Sequence, residues 1–150
     1  MPAIYIRVAQ LYLDFAEAAN EAYGPETKVP GTDMSAVDAI NIIRNGVGAV
    51  PVRNEYKANK EIFRERIRNE RAVELCFEDH RWYDIRRWMI APEVIKNVQG
   101  IDIRYPYGAT EPNYSIIDVQ ERKWNDKSYL LPIYLDEMQK NDLLIQNPLY

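Results

Sequence analysis

Glu70, Glu74, Glu78, Asp79 and His80 fall close together, and they are the groups in this sequence best able to move protons. Paired carboxylates hydrolyse glycosides when one acts as acid and the other as base or nucleophile across a bond at a defined separation. Residues four apart on a helix have Cβ atoms about 6 Å apart, so the spacing of Glu70 and Glu74 admits that chemistry. The surroundings argue against it. Arg66, Arg71, Arg81, Arg86 and Arg87 lie in the same stretch, and guanidiniums meet carboxylates in charge-assisted, often bidentate pairs. Glu70, Glu74, Arg81, Arg86 and Arg87 are therefore read as structural ion pairs, with the arginines of the following helix as the chief partners of the two glutamates. A metal is not expected. Cys76 and His80 are single, no zinc spacing exists, and the Glu-x-x-His pair of di-iron bundles is missing. No catalytic residue and no cofactor is predicted. A lone cysteine excludes an internal disulfide, and Cys76, inside the run Arg71–Phe77, reads as a small buried hydrophobe.

The elements that must carry these groups are mainly helical. Val8, Leu11, Tyr12, Phe15, Ala19 and Ala22 recur at three- and four-residue steps until Gly24-Pro25 stops the pattern. Thr32, Asp33 and Ser35 offer N-caps to a second helix striped by Ala36, Ile40, Ile43 and Val47. Ala9, Ala16, Ala18, Ala19 and Ala22 let another helix approach closely, so the pair makes an αα-hairpin of tetratricopeptide-like character. A third helix is expected over about 59–77, with Phe63, Ile67, Glu70, Glu74 and Phe77 on one stripe. A fourth follows over about 81–90, its Trp82, Tyr83 and Trp88 read as core. Beyond Pro92 the helical period fades. Ile101–Tyr107 and Tyr114–Val119 read as short strands or extended loops around a turn at Gly108–Asn113, followed by an extended Tyr129–Ile133, a short helix over Asp136–Asn141 and a tail.

Composition restricts the partners. The 150 residues suit one domain with its own core. A formal charge of −4 gives no overall attraction for phosphate backbones, so nucleic acid is not an expected partner. No apolar run approaches the ~20 residues of a membrane span, and Met1–Arg7 lacks the sections of a signal peptide. Tyr and Trp, at 11 and 3, far outnumber the 3 Phe, and such rings combine an apolar face with a polar edge. Tyr105, Tyr107, Tyr114 and Trp124 lie in polar, loop-like surroundings and are the candidate ligand-binding residues. Asp102, Arg104, Asn113 and Asn125 are the accompanying hydrogen-bonding groups.

Three collinear segments carry a family resemblance. The run Ile67-Arg68-Asn69-Glu70-Arg71-Ala72-Val73-Glu74-Leu75-Cys76-Phe77-Glu78-Asp79-His80-Arg81-Trp82-Tyr83-Asp84-Ile85-Arg86-Arg87-Trp88 resembles the most recognisable stretch of the SusD/RagB proteins. Upstream, Arg7–Ala22 is similar to their tetratricopeptide-like helix and Ala39–Asn45 to the helix after it. Downstream, Tyr129-Leu130-Leu131-Pro132-Ile133 with Asp136-Glu137 and Gln146-Asn147-Pro148-Leu149-Tyr150 resembles their closing segment. Glycine is the family's usual residue where Asp79 and Leu149 stand here, and alanine is frequent at Cys76.

This resemblance implies a SusD-like helical fold with a loop-rich C-terminal region, the chain 1–150 being the C-terminal portion of a longer protein. It implies a non-catalytic protein that binds oligosaccharide for nutrient uptake at the bacterial outer-membrane surface. Its partner would be a SusC-like TonB-dependent transporter, and it would touch the membrane only through a lipid anchor that Cys76 does not supply. Two other functions fit parts of the sequence. A helical-repeat scaffold for protein partners follows from the first hairpin, and a glycoside hydrolase from Glu70 and Glu74.

Overall fold

The computed structural model describes residues 6–150, and Met1–Tyr5, part of the stretch read for a targeting signal, lies outside the described residues. The chain divides into two compact units, 1–81 and 82–150. Its helices are α1 (Val8–Tyr23), α2 (Ala36–Gly46), α3 (Lys60–Glu74), α4 (His80–Arg87) and two short ones, α5 (Ala91–Val94) and α6 (Leu135–Lys140). The strands β1 (Val98–Arg104) and β2 (Asn113–Gln120) form one antiparallel hairpin. No described helix is long and apolar enough to cross a membrane.

In the first unit α1 packs on both α2 and α3. Small side chains make this possible: Ala16, Ala19, Ala36 and Ala39 are buried with Leu13, Ile40, Phe63 and Ile67 in one cluster. The buried face of α1 is Leu13, Ala16, Ala19 and Asn20, not the Val8/Leu11 side of the expected stripe, which stays exposed. Asn20 is fully buried and donates from Nδ2 to the Lys60 carbonyl at 3.0 Å, tying α1 to the start of α3. Ser35 caps α2 in a reciprocal box: its hydroxyl oxygen accepts from the Asp38 N–H at 3.2 Å, and the Asp38 carboxylate accepts from the Ser35 N–H at 2.9 Å. Asn59 starts α3 by accepting from the Ile62 N–H at 2.8 Å.

The end of α3 corrects the sequence reading. The helix stops at Glu74, Leu75 caps it, and Phe77 and Asp79 take positive φ. Phe77 is thereby turned off the stripe into full exposure, and Cys76 is exposed rather than a core residue. Val47 leaves its stripe for the same reason, because α2 ends at Gly46.

Candidate functional site

The charged groups that open the enzyme question lie in the first unit, and Glu70, Glu74 and Glu78 are each ion-paired with arginine. Glu70 receives hydrogen bonds from Arg44 Nη1 and Arg66 Nη2. The three side chains are mostly buried, at 12%, 15% and 21% exposure. Arg44 is fixed further by donating from Nε to the Val50 carbonyl at 2.6 Å, and Arg66 lies 5.2 Å from the centre of the Tyr56 ring. Glu74 accepts from Arg7 at 2.7 Å, and Arg7 also donates to Glu78 at 3.0 Å. Arg71 is buried and donates to Asp14 at 2.5 Å.

Ion pairing of both glutamates therefore holds, but their expected partners are corrected. The arginines come from α2, from α3 itself and from the residue before α1. Arg87 instead pairs with Asp84 at 2.9 Å on its own helix, Arg86 donates to the Tyr129 carbonyl, and Arg81 is exposed. Among the described residues no cluster of His, Cys, Asp and Glu is arranged to hold a metal ion.

The candidate ligand-binding residues lie in the second unit and divide into two kinds. Ile101 pairs with Ile116 and Ile103 with Tyr114 across the hairpin. Directly opposed residues share a face, so these four form one apolar face, all more than half exposed. The alternation continues to Tyr105 at its end, 68% exposed beside Tyr114 at 69%. At the end near the turn the opposite face is polar, with Asp102, Arg104, Ser115 and Asn113, and Arg104 Nε donates to Asp102 at 2.6 Å; further along it carries Ile117 opposite Gly100.

The connection explains the third tyrosine. Ala109 N–H donates to the Pro106 carbonyl at 2.9 Å and Gly108 has φ +80°, a β-turn whose third position favours glycine. Tyr107, the residue before that glycine, is fully exposed.

Trp124 is different in kind. It is half-buried and meets Trp82 at 5.9 Å and Tyr129 at 4.9 Å edge-to-face. Arg86 closes this cluster over the Trp82 ring at 5.6 Å. Of the accompanying hydrogen-bonding groups, Asn125 is occupied as a cap, its Oδ1 accepting from the Lys127 N–H at 3.1 Å. Tyr83, read from the sequence as core, is 64% exposed, and Trp82 is also exposed, because only Asp84 and Ile85 on α4 are buried.

A mainly helical chain with a small-residue helix hairpin, an arginine–glutamate network and a tyrosine-bearing β-hairpin now has a class. The sequence model of the SusD family matches residues 1–150, and the chain belongs to that family. It is 34% identical over 145 residues to SusD-like protein P25 of Formosa agariphila, covering 96% of this chain and 23% of that protein. It is 29% identical over 149 residues to SusD-like protein P2 of the same organism, covering 96% and 25%. A crystal structure of a SusD-like protein from Bacteroides fragilis superposes with a TM-score of 0.76 at 34% identity, covering 99% of this chain and 26% of that one. The fold is thus SusD-like, and the chain spans about a quarter of the length of the relatives it matches.

Proposed function

We propose that this chain forms part of the sugar-capturing surface of a non-catalytic, outer-membrane glycan-binding protein that acts with a SusC-like TonB-dependent transporter and is held at the membrane by a lipid anchor. The observation that carries the reading within this chain is the hairpin. Tyr105, Tyr107 and Tyr114 stand exposed at one end of it, two of them on an apolar face, with Asp102, Arg104 and Asn113 on the reverse. Sugar rings offer CH faces to such rings and hydroxyls to such polar groups.

Family membership supports the function, and the ion pairs support its non-catalytic side. Glu70 and Glu74, the carboxylates a hydrolase would need, are both taken up by arginines that fix helices to one another. The test is an oligosaccharide array followed by calorimetry on the glycans retained. Replacing Tyr105, Tyr107 and Tyr114 together with alanine is expected to remove about 1–3 kcal/mol per stacking ring lost, by analogy with base–aromatic stacking, without changing the circular dichroism spectrum. Full affinity in the folded triple variant would move the sugar surface away from the hairpin.

A further inference from the structure

The second unit also holds a depression of about 740 Å³, lined in part by Tyr83, Met89, Asp126, Lys127 and Leu149. None of the hairpin tyrosines lines it. Its size lies in the range of small-ligand sites, roughly 300–1,000 Å³, and its wall combines a mainly apolar surface with a few charged groups, as such sites do.

Two residues of that wall stand where glycine is the unstrained choice. Met89 has φ +57° at the end of α4, where its N–H donates to the Arg86 carbonyl and that of Ile90 to the Ile85 carbonyl, both at 3.1 Å. This pair of bonds is the Schellman closure, whose left-handed position is usually glycine because a Cβ is crowded there. Leu149 has φ +74° in the terminal segment. That segment is held firmly in place. Gln146 exchanges hydrogen bonds with the backbone of Ile133 at 2.8 and 3.0 Å, Asn147 donates to the Leu131 carbonyl at 2.6 Å, and the Tyr150 hydroxyl donates to the Leu130 carbonyl at 3.2 Å.

Neither long side chain is needed for burial. Met89 is 62% exposed and Leu149 71%, so the fold gains little apolar burial from them in exchange for the strained backbone. What the two share is the wall of one depression, beside a tyrosine that is itself 64% exposed. Non-glycine residues in the left-handed region collect at ligand sites, where the side chain has a use that outweighs the strain.

We infer that this depression is a second sugar-binding subsite, separate from the hairpin. Met89 and Leu149 supply its apolar floor, Tyr83 its stacking face, and Asp126 and Lys127 an acceptor and a donor for hydroxyls. A sugar ring matches this mixture, because it carries CH faces together with hydroxyls that both donate and accept. Arg86, tied to the Tyr129 carbonyl, and Arg87, tied to Asp84, brace the wall. The inference rests on the glycan-binding reading for its ligand class, and its geometry is independent of the hairpin.

The methionine methyl groups provide the test, since only four methionines occur and Met34 and Met138 do not line the depression. The chain with labelled methionine methyls and tyrosine rings is titrated with the methyl glycosides of glucose, galactose, mannose and xylose. Concentrations run to about 100 mM, well above the millimolar constants of weak sites. A saturable shift of the Met89 methyl with Met34 unmoved is expected. Leu149→Gly, which relieves the strained φ, is expected to keep or raise the melting temperature while weakening that titration about tenfold. A motionless Met89 methyl overturns the subsite. If the rings of Tyr105, Tyr107 and Tyr114 shift in the same titration, the hairpin reading stands without it, and if neither group moves both readings fall. Equal affinity in Leu149→Gly with a shifting Met89 would overturn the role assigned to Leu149.

Discussion

Replacing Glu70 with alanine leaves two largely buried guanidiniums without the carboxylate they share. Loss of one partner from a fully buried pair costs about 3–5 kcal/mol, whereas exposed pairs rarely exceed about 1 kcal/mol. Exposures of 12%, 15% and 21% for Glu70, Arg44 and Arg66 place this site close to the buried limit. Two contacts survive the substitution: Arg44 keeps the Val50 carbonyl and Arg66 keeps the Tyr56 ring. About 2–3 kcal/mol is therefore expected, which at roughly 2–4 °C per kcal/mol for a chain of this size lowers the melting temperature by about 4–12 °C. Urea unfolding followed by circular dichroism gives the free energy, and an unchanged denaturant slope shows that the loss lies in the native state. Glu70→Gln, which retains an acceptor, is expected to lose less. A double-mutant cycle with Arg44→Met isolates the pair. A loss below about 1 kcal/mol in Glu70→Ala would refute the view that this network holds α2 to α3.

Three further outcomes follow from local geometry. Ser35→Ala removes the hydroxyl half of the α2 cap and is expected to cost about 1 kcal/mol in the same assay. The Ser35 hydroxyl, and then its N–H, hold the Asp38 carboxyl below its ordinary value, and Arg64 does the same for Glu21. Depressed folded values mean that both contributions are present above the unfolded carboxylate pKa and are lost as pH falls through the folded one. Asp38→Asn should accordingly flatten part of the acid limb of a stability-against-pH curve. Gly100→Ala would set a Cβ 2.7 Å from Val119 Cγ2, so hydrogen exchange in the β-hairpin should accelerate while α1, α2 and α3 keep their protection.

What the sequence disclosed depended on how local the cause was. The start of α2 was legible to within a few residues, since Thr32, Asp33 and Ser35 all offered N-caps, and Ser35 takes the role because Asp38, three residues on, completes a capping box with it. The hairpin was legible from alternation, and the helical class from period. The buried face of α1 was not, because periodicity gives weight to large side chains such as Val8 and Leu11. The neighbouring helices instead close on alanines, with Leu13 and Asn20 beside them. The end of α3 was also missed: nothing before Glu74 signals the turn, and extending the stripe carried Phe77 and Cys76 into a core they do not enter.

The ion pairs show the same limit. Glu70 and Glu74 were identified as paired from their place on an apolar stripe, but Arg44 and Arg7 lie 26 and 67 positions away from them in the chain. Proximity in sequence favoured Arg86 and Arg87 instead. Among the ligand candidates, Tyr105, Tyr107 and Tyr114 are exposed as open rings, while Trp124 is drawn into an aromatic cluster with Trp82 and Tyr129. The depression edged by Met89 and Leu149 had no sequence signal beyond a leucine standing where the resembling family has glycine.

The most direct test of the central claim is to incubate the protein with a mixed oligosaccharide library and measure by mass spectrometry which chains are retained and whether they are recovered intact. Retention of at least one oligosaccharide at its original length, lost on replacing Tyr105, Tyr107 and Tyr114 with alanine, is the predicted result. Shortened products, or retention that the folded triple variant leaves untouched, would contradict a non-catalytic sugar surface built on this hairpin.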